Sequence, residues 1–219
     1  MSKIDELSFD SKSFFLPSHS IKIHRSQFDK TLSAKISEII LLEEFNILIG
    51  TKKPDHEKDA SWLTGRLGEY NLFDFDYPEI QEFKSFVRDQ FIDYSNKVGH
   101  TIPNKTYIQC WANILRNNGR KITAHHHCTA HSDAPQEYAY VSGNVCIQTN
   151  HTMTYYKNPF NDSKVGIYNI VGELILFPSH IIHWTDNNND PEPRISIAFD
   201  IITDKVYNMI DNKNFRELT

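Results

Sequence analysis

From Gly172 the chain reads Gly172-Glu173-Leu174-Ile175-Leu176-Phe177-Pro178-Ser179-His180-Ile181-Ile182-His183, and further on Arg194-Ile195-Ser196-Ile197-Ala198-Phe199. The first run is a short apolar strand stopped by proline. The second alternates with period two, so one face carries Arg194, Ser196 and Ala198 while the other is wholly apolar. Upstream, Tyr107–Leu115 and Lys121–His127 flank Asn117-Asn118-Gly119-Arg120, whose Asn and Gly residues suit a hairpin turn. Strands at Tyr138–Gln148 and Thr152–Tyr156 follow, and the strand from Arg194 runs on to about Ile202. Many short strands separated by turns predict a jelly roll or barrel.

The first hundred residues read mainly as helical support. Phe28, Leu32, Ile36, Ile39 and Ile40 recur three or four apart and predict a helix over about Ser26–Glu44. A second helix carries Ile80, Phe83, Phe86, Val87, Phe91, Tyr94 and Val98 on one side, with Pro78 near its start and Gly99 at its end. Between them, Gly50–Ala60 is charged and reads as an exposed loop. The expected class is therefore mainly β with flanking helices (α+β), in one domain over 1–219: helical support over 1–105, a β core over 106–205 and a tail over 206–219.

Composition sets bounds. The chain has 219 residues, 39% of them hydrophobic, within the range of one undivided β-rich domain. Apolar runs such as Ile39-Ile40-Leu41-Leu42 are too short to cross a bilayer, and the first residues lack a signal-peptide apolar core, so no membrane association is expected. Three cysteines, Cys110, Cys128 and Cys146, without C-x-x-C spacing point to a reducing compartment. A net charge of −5 argues against broad nucleic-acid binding, which relies on cations that displace counterions from phosphates.

Of eleven histidines, five fall between His125 and His151. His125 and His127 face the same way on an extended segment and His126 the other, so a third imidazole from a distant strand would close a metal site with open positions. His183 follows a strand end, where loop residues reach a barrel mouth, and His180 competes with it. Arg194, pointing into a barrel, needs an anion to offset its desolvation, and from Arg194 to Phe199 that face offers no acidic residue. A forked guanidinium with Ser196 as a second donor suits a dicarboxylate.

Together these residues resemble the 2-oxoglutarate and iron(II)-dependent oxygenases of the double-stranded β-helix (jelly-roll, cupin-like) fold, and more narrowly a branch common in marine bacteria and phages. The resemblance spans about Leu63–Ile202. It rests on Trp111 with Asn113, Gly119, His125 with His127, Ser142-Gly143, Asn158-Pro159, Phe177-Pro178-Ser179 with His183, and Arg194 with Ser196. It implies iron(II), 2-oxoglutarate as co-substrate and O2, with release of succinate and CO2. It places the metal on His125, His127 and His183, and the co-substrate on Arg194 and Ser196, with Asn113 and Tyr140 as further cavity residues. The substrate is open among small molecules, peptides and nucleobases, and the expected location is cytoplasmic, in the host if the chain is viral.

The wider superfamily uses His-x-Asp or His-x-Glu where this chain has His125-His126-His127. The only literal His-x-Asp nearby is His131-Ser132-Asp133, so Asp133 stands as the alternative third ligand. Two rival functions remain: a cupin-like metal- or ligand-binding barrel without catalysis, and a zinc site closed by Cys128.

Overall fold

The computed structural model describes residues 2–9, 19–51, 71–116, 121–127, 141–148, 152–210 and 214–219. Among these residues, ten strands form two antiparallel sheets. In chain order they are β1 (Lys3–Phe9), β2 (His19–Gln27), β3 (Thr106–Leu115), β4 (Val141–Gln148), β5 (Met153–Lys157), β6 (Lys164–Tyr168), β7 (Glu173–Pro178), β8 (His183–Thr185), β9 (Arg194–Thr203) and β10 (Arg216–Glu217). The larger sheet has the order β1-β2-β7-β4-β9-β3-β10 and the smaller one β6-β5-β8. The helices are α1 (Lys30–Thr51), α2 (Pro78–Val98) and the short α3 (Asp204–Tyr207). No helix among the described residues is long and apolar enough to cross a membrane.

Period-two patterning decides which way each strand faces. On β9, Ile195, Ile197, Phe199 and Ile201 are buried together with α1 and α2, in a core shared with Ile108, Cys110, Ala112 and Ile114 of β3. Helix α2 supplies Ile80, Phe83, Val87 and Phe91, all fully buried, each contributing about 1.5–3 kcal/mol over exposure. Its ends are those read from sequence: Pro78 in the first turn, and Gly99 beyond the last residue at φ 78°, a left-handed conformation that glycine adopts without a Cβ clash. A second core, with Ile23, Tyr156, Ile175 and Phe177, fills one end of the space between the two sheets.

Four expectations need correction. The N-terminal region is not helical throughout, because β1 and β2 precede α1 and β2 pairs with β7; Ile21 and Ile23 alternate with polar neighbours, a pattern with the period of a strand. Helix α1 begins at Lys30, after Asp29 Oδ1 accepts the backbone N–H groups of Thr31 and Leu32, and it runs to Thr51, past the Gly50 where a loop was expected. Lys121–His127 is an irregular segment joined to β8 by an isolated bridge, not a ladder strand. The C-terminal residues are no free tail, since β10 pairs with β3. Strand β6 had no counterpart in the sequence reading. The hairpin at Asn117–Arg120 lies outside the described residues.

Gly143 explains one motif physically. It stands between Phe199 of β9 and Leu176 of β7 in the pairing register, and a Cβ there would run into the Phe199 ring at Cζ and come within 2.7 Å of Leu176 Cδ2. Gly143→Ala should therefore cost about 1–3 kcal/mol by overpacking, and Phe199→Leu in the same chain should recover part of it. Denaturant unfolding of the single and double variants measures both.

Candidate active site

A cavity of about 230 Å³ lies between the sheets. Its floor is the polar face of the larger sheet: Gln109, Trp111 and Asn113 of β3, Asn144 of β4, and Arg194, Ser196, Ala198 and Asp200 of β9. Thr154 of β5 and His183 and Thr185 of β8 face them, and His125 and His127 close one side.

Backbone pairing assembles the histidines. His125 and His183 exchange both main-chain hydrogen bonds, at 3.1 and 2.9 Å, and the His127 N–H donates to the Ser179 carbonyl at 3.0 Å. The irregular segment thus runs antiparallel to the chain around β8 and keeps His125 and His127 on one side, with the intervening His126 exposed. His180 is exposed as well. His125, His127 and His183 each offer a ligand atom within 4.8 Å of the others.

Ring tautomers follow from the acceptors. His125 Nδ1 lies 2.7 Å from the Thr123 carbonyl, His183 Nδ1 lies 3.0 Å from the Ile181 carbonyl, and His127 Nδ1 lies 2.8 Å from Asp200 Oδ2. Carbonyl and carboxylate oxygens only accept, so each Nδ1 carries a proton, and in the neutral ring Nε2 presents the lone pair. His127 Nε2 and His183 Nε2 stand 3.4 Å apart. Two lone pairs so close repel unless a cation lies between them, and cis nitrogens about 2.1 Å from one divalent metal are about 3 Å apart. The donor set fits iron(II), which accepts imidazole and requires open positions for chemistry.

His183 is held neutral. Burial first, then the nearby His125 and His127, push it down to about 3. Phe177 packs edge-on against its ring at 4.8 Å, which supplies the apolar surroundings.

At the other end of the β9 face, six residues and about 20 Å along the strand from Asp200, Arg194 is 3% exposed, and its Nε and Nη1 are buried without a hydrogen-bond partner among the described residues. Burial lowers the pKa of its guanidinium. An unpaired buried cation is expensive, and an anion in the cavity would offset that cost. Ser196 and Asn113, both 5% exposed, are directly opposite each other across β9 and β3 on the same face. The residues at this end therefore fit a carboxylate.

The structure brings together His125, His127, His183, Arg194, Ser196 and Asn113 around one cavity. Tyr140, Asp133 and Cys128 lie outside the described residues. Asp200 escaped the sequence reading, although its signal was there: the alternation Arg194, Ser196, Ala198 reaches Asp200 at the next step, one residue beyond where the face was judged free of acid.

Linkage fixes a pH effect. In the unfolded chain His183 titrates near its ordinary 6.5 and in the folded one near 3, so the unfolded state binds the proton first and metal-free protein loses stability as pH falls through that window. The loss due to His183 should approach about 1.4 kcal/mol per pH unit. Unfolding midpoints of metal-free wild type and His183→Gln between pH 7 and 4 should diverge accordingly; parallel curves would contradict it.

Residues 109–200 match a family model described as "Putative 2OG-Fe(II) oxygenase". No curated protein matches the chain. Among solved structures, a Pseudomonas putida prolyl-4-hydroxylase superposes with a TM-score of 0.58 at 9% identity, over 83% of this chain and 92% of that one. The viral collagen prolyl hydroxylase of Paramecium Bursaria Chlorella virus-1, in complex with 2OG, gives 0.54 at 10% identity, over 83% and 95%. The alpha-ketoglutarate-dependent carbocyclase SnoK of nogalamycin biosynthesis gives 0.57 at 8%, over 90% and 92%. At these identities the likeness is one of fold.

Proposed function

We propose that this chain is a 2-oxoglutarate and iron(II)-dependent oxygenase, which hydroxylates a substrate while converting 2-oxoglutarate to succinate and CO2. Iron(II) and 2-oxoglutarate are the family's cofactor and co-substrate, consistent with the histidine cluster. The observation that carries the reading is the pairing, in one cavity, of three converging Nε2 lone pairs with a buried guanidinium whose Nε and Nη1 have no partner among the described residues.

In this reading His125, His127 and His183 hold the metal through Nε2, and Arg194 and Ser196 hold the far carboxylate of 2-oxoglutarate, with Asn113 beside them. Bound iron supplies the activation of dioxygen, coupled to decarboxylation of the co-substrate. The chain's own task is orientation and exclusion of water. Arg194 fixes one end of a short dianion by a forked contact, which leaves its keto acid end facing the imidazoles. Phe177, Ile122 and Trp111 line the cavity with apolar surface that limits water around the reacting centre. Structures of this fold carry the names hydroxylase, epimerase and carbocyclase, so a succinate-release screen across small molecules, peptides and nucleobases, with product analysis, tests both substrate class and outcome. A barrel without catalysis would bind metal and leave 2-oxoglutarate unbound and unconsumed.

Arg194→Ala should weaken 2-oxoglutarate binding by about 2–5 kcal/mol, because the co-substrate carboxylate would be buried unpaired. Arg194→Lys should restore only part of it, for want of the fork. Both should retain iron; anaerobic titrations of iron-loaded protein measure the difference, and loss of iron in both would mean that Arg194 supports the fold instead.

For the third ligand, His127→Ala should remove most iron binding, comparably to His183→Ala, while Asp133→Ala should leave it largely intact. Iron titrations of the three variants decide it, and the reverse order would assign the position to Asp133.

A further inference from the structure

His125 and His183 are backed by main-chain carbonyls, but His127 is backed by a carboxylate. Asp200 Oδ1 accepts from Ser142 Oγ at 2.6 Å, and Ser142 Oγ lies 2.8 Å from Ser179 Oγ. A hydroxyl has one proton and a carboxylate only accepts, so Ser142 gives its proton to Asp200 and receives that of Ser179. The Ser179 carbonyl in turn accepts the His127 backbone N–H. These four hydrogen bonds form a closed ring that fixes both the main chain and the imidazole of His127. Ser142 and Ser179 are each 1% exposed, so water competes little for the ring. Ser142 and Asp200 are also directly paired across β4 and β9, which sets their separation by sheet register.

We propose that Asp200 is a positioning residue for the metal centre: it holds His127 in the Nδ1–H tautomer and supplies, from behind the ring, the negative charge that three neutral imidazoles do not. The inference rests on the reading of His125, His127 and His183 as the iron site. Where a site of two histidines and one carboxylate binds its anion to the metal directly, this one places the anion one imidazole away. The imidazole then becomes a stronger donor through its polarised N–H, and all three protein positions on the metal remain nitrogen.

The test uses the full chain and titration with iron(II), and with cobalt(II) as a spectroscopic probe, alongside thermal unfolding of the metal-free protein. Asp200→Asn keeps an acceptor for the His127 Nδ1–H and removes the charge; it should bind either metal about 10-fold more weakly and raise the Fe(III)/Fe(II) potential. Asp200→Ala removes both functions and should lose up to about 100-fold. In a His127→Ala background, read by the residual cobalt(II) affinity of the remaining two imidazoles, Asp200→Asn should cause no further loss, because its effect passes through His127. Wild-type affinity and potential in a folded Asp200→Asn protein would overturn the proposal, as would an equal loss in the His127→Ala background. Loss in Asp200→Ala as complete as in His183→Ala, with Asp200→Asn equally empty, would make Asp200 a ligand and overturn it too. Failure of the wild type to bind iron would instead overturn the iron-site reading, so the two failures are distinguishable.

Discussion

Strand β9 is the constraint on which the molecule depends. It is paired along nearly its whole length with β3 on one side and β4 on the other. Its register decides which residues enter the helix-facing core and which enter the cavity. A slip of one residue would bury Arg194, Ser196 and Asp200 against α1 and α2 and turn four large apolar side chains into the cavity. The core on one face and the polar site on the other are therefore a single decision. Packing Ile195, Ile197, Phe199 and Ile201 with the helices is also what aims the functional side chains. This is why the apolar residues of α2, remote from the chemistry, matter to it: they fix the phase of the strand.

Electrostatics complete the arrangement along the same strand. Arg194 places a buried positive charge near one end and Asp200 a carboxylate near the other, with the small Ala198 and the hydroxyl of Ser196 between them. A linear dianion and a metal cation suit such a gradient when laid with the carboxylate at the arginine. The buried guanidinium is expensive for the folded chain alone. That cost is what the proposed dicarboxylate contact would offset.

Much of this was legible in the sequence because it rests on local periodicity. The alternation from Arg194, the proline and glycine that bound α2, and the i, i+2 spacing of His125 and His127 each follow from backbone geometry over a few residues. What was not legible rests on contacts distant in sequence. Lys121–His127 looks like a strand, yet it joins the chain around β8 through an isolated bridge and a few separate hydrogen bonds, so the facing of its histidines arises from different pairing than expected. Strand β2 carries the alternation of a strand, but the helical stripe that follows it is the stronger local signal. Asp200 was legible in phase but not in role, since nothing local shows that a carboxylate on β9 meets an imidazole from residue 127.

The reciprocal main-chain bonds between His125 and His183 have a bearing on how such a site can change over time. Their separation is set by peptide geometry, so it does not depend on the number of residues joining them or on what those residues are. Loops between the intervening strands can lengthen, shorten or be exchanged without moving one imidazole relative to the other. A chain built this way can acquire new surroundings for its cavity while the spacing of the two imidazoles stays fixed. It also offers a practical graft point: sequence exchanged between residues 128 and 178 that preserves β4, β5 and β7 would leave the histidine spacing intact.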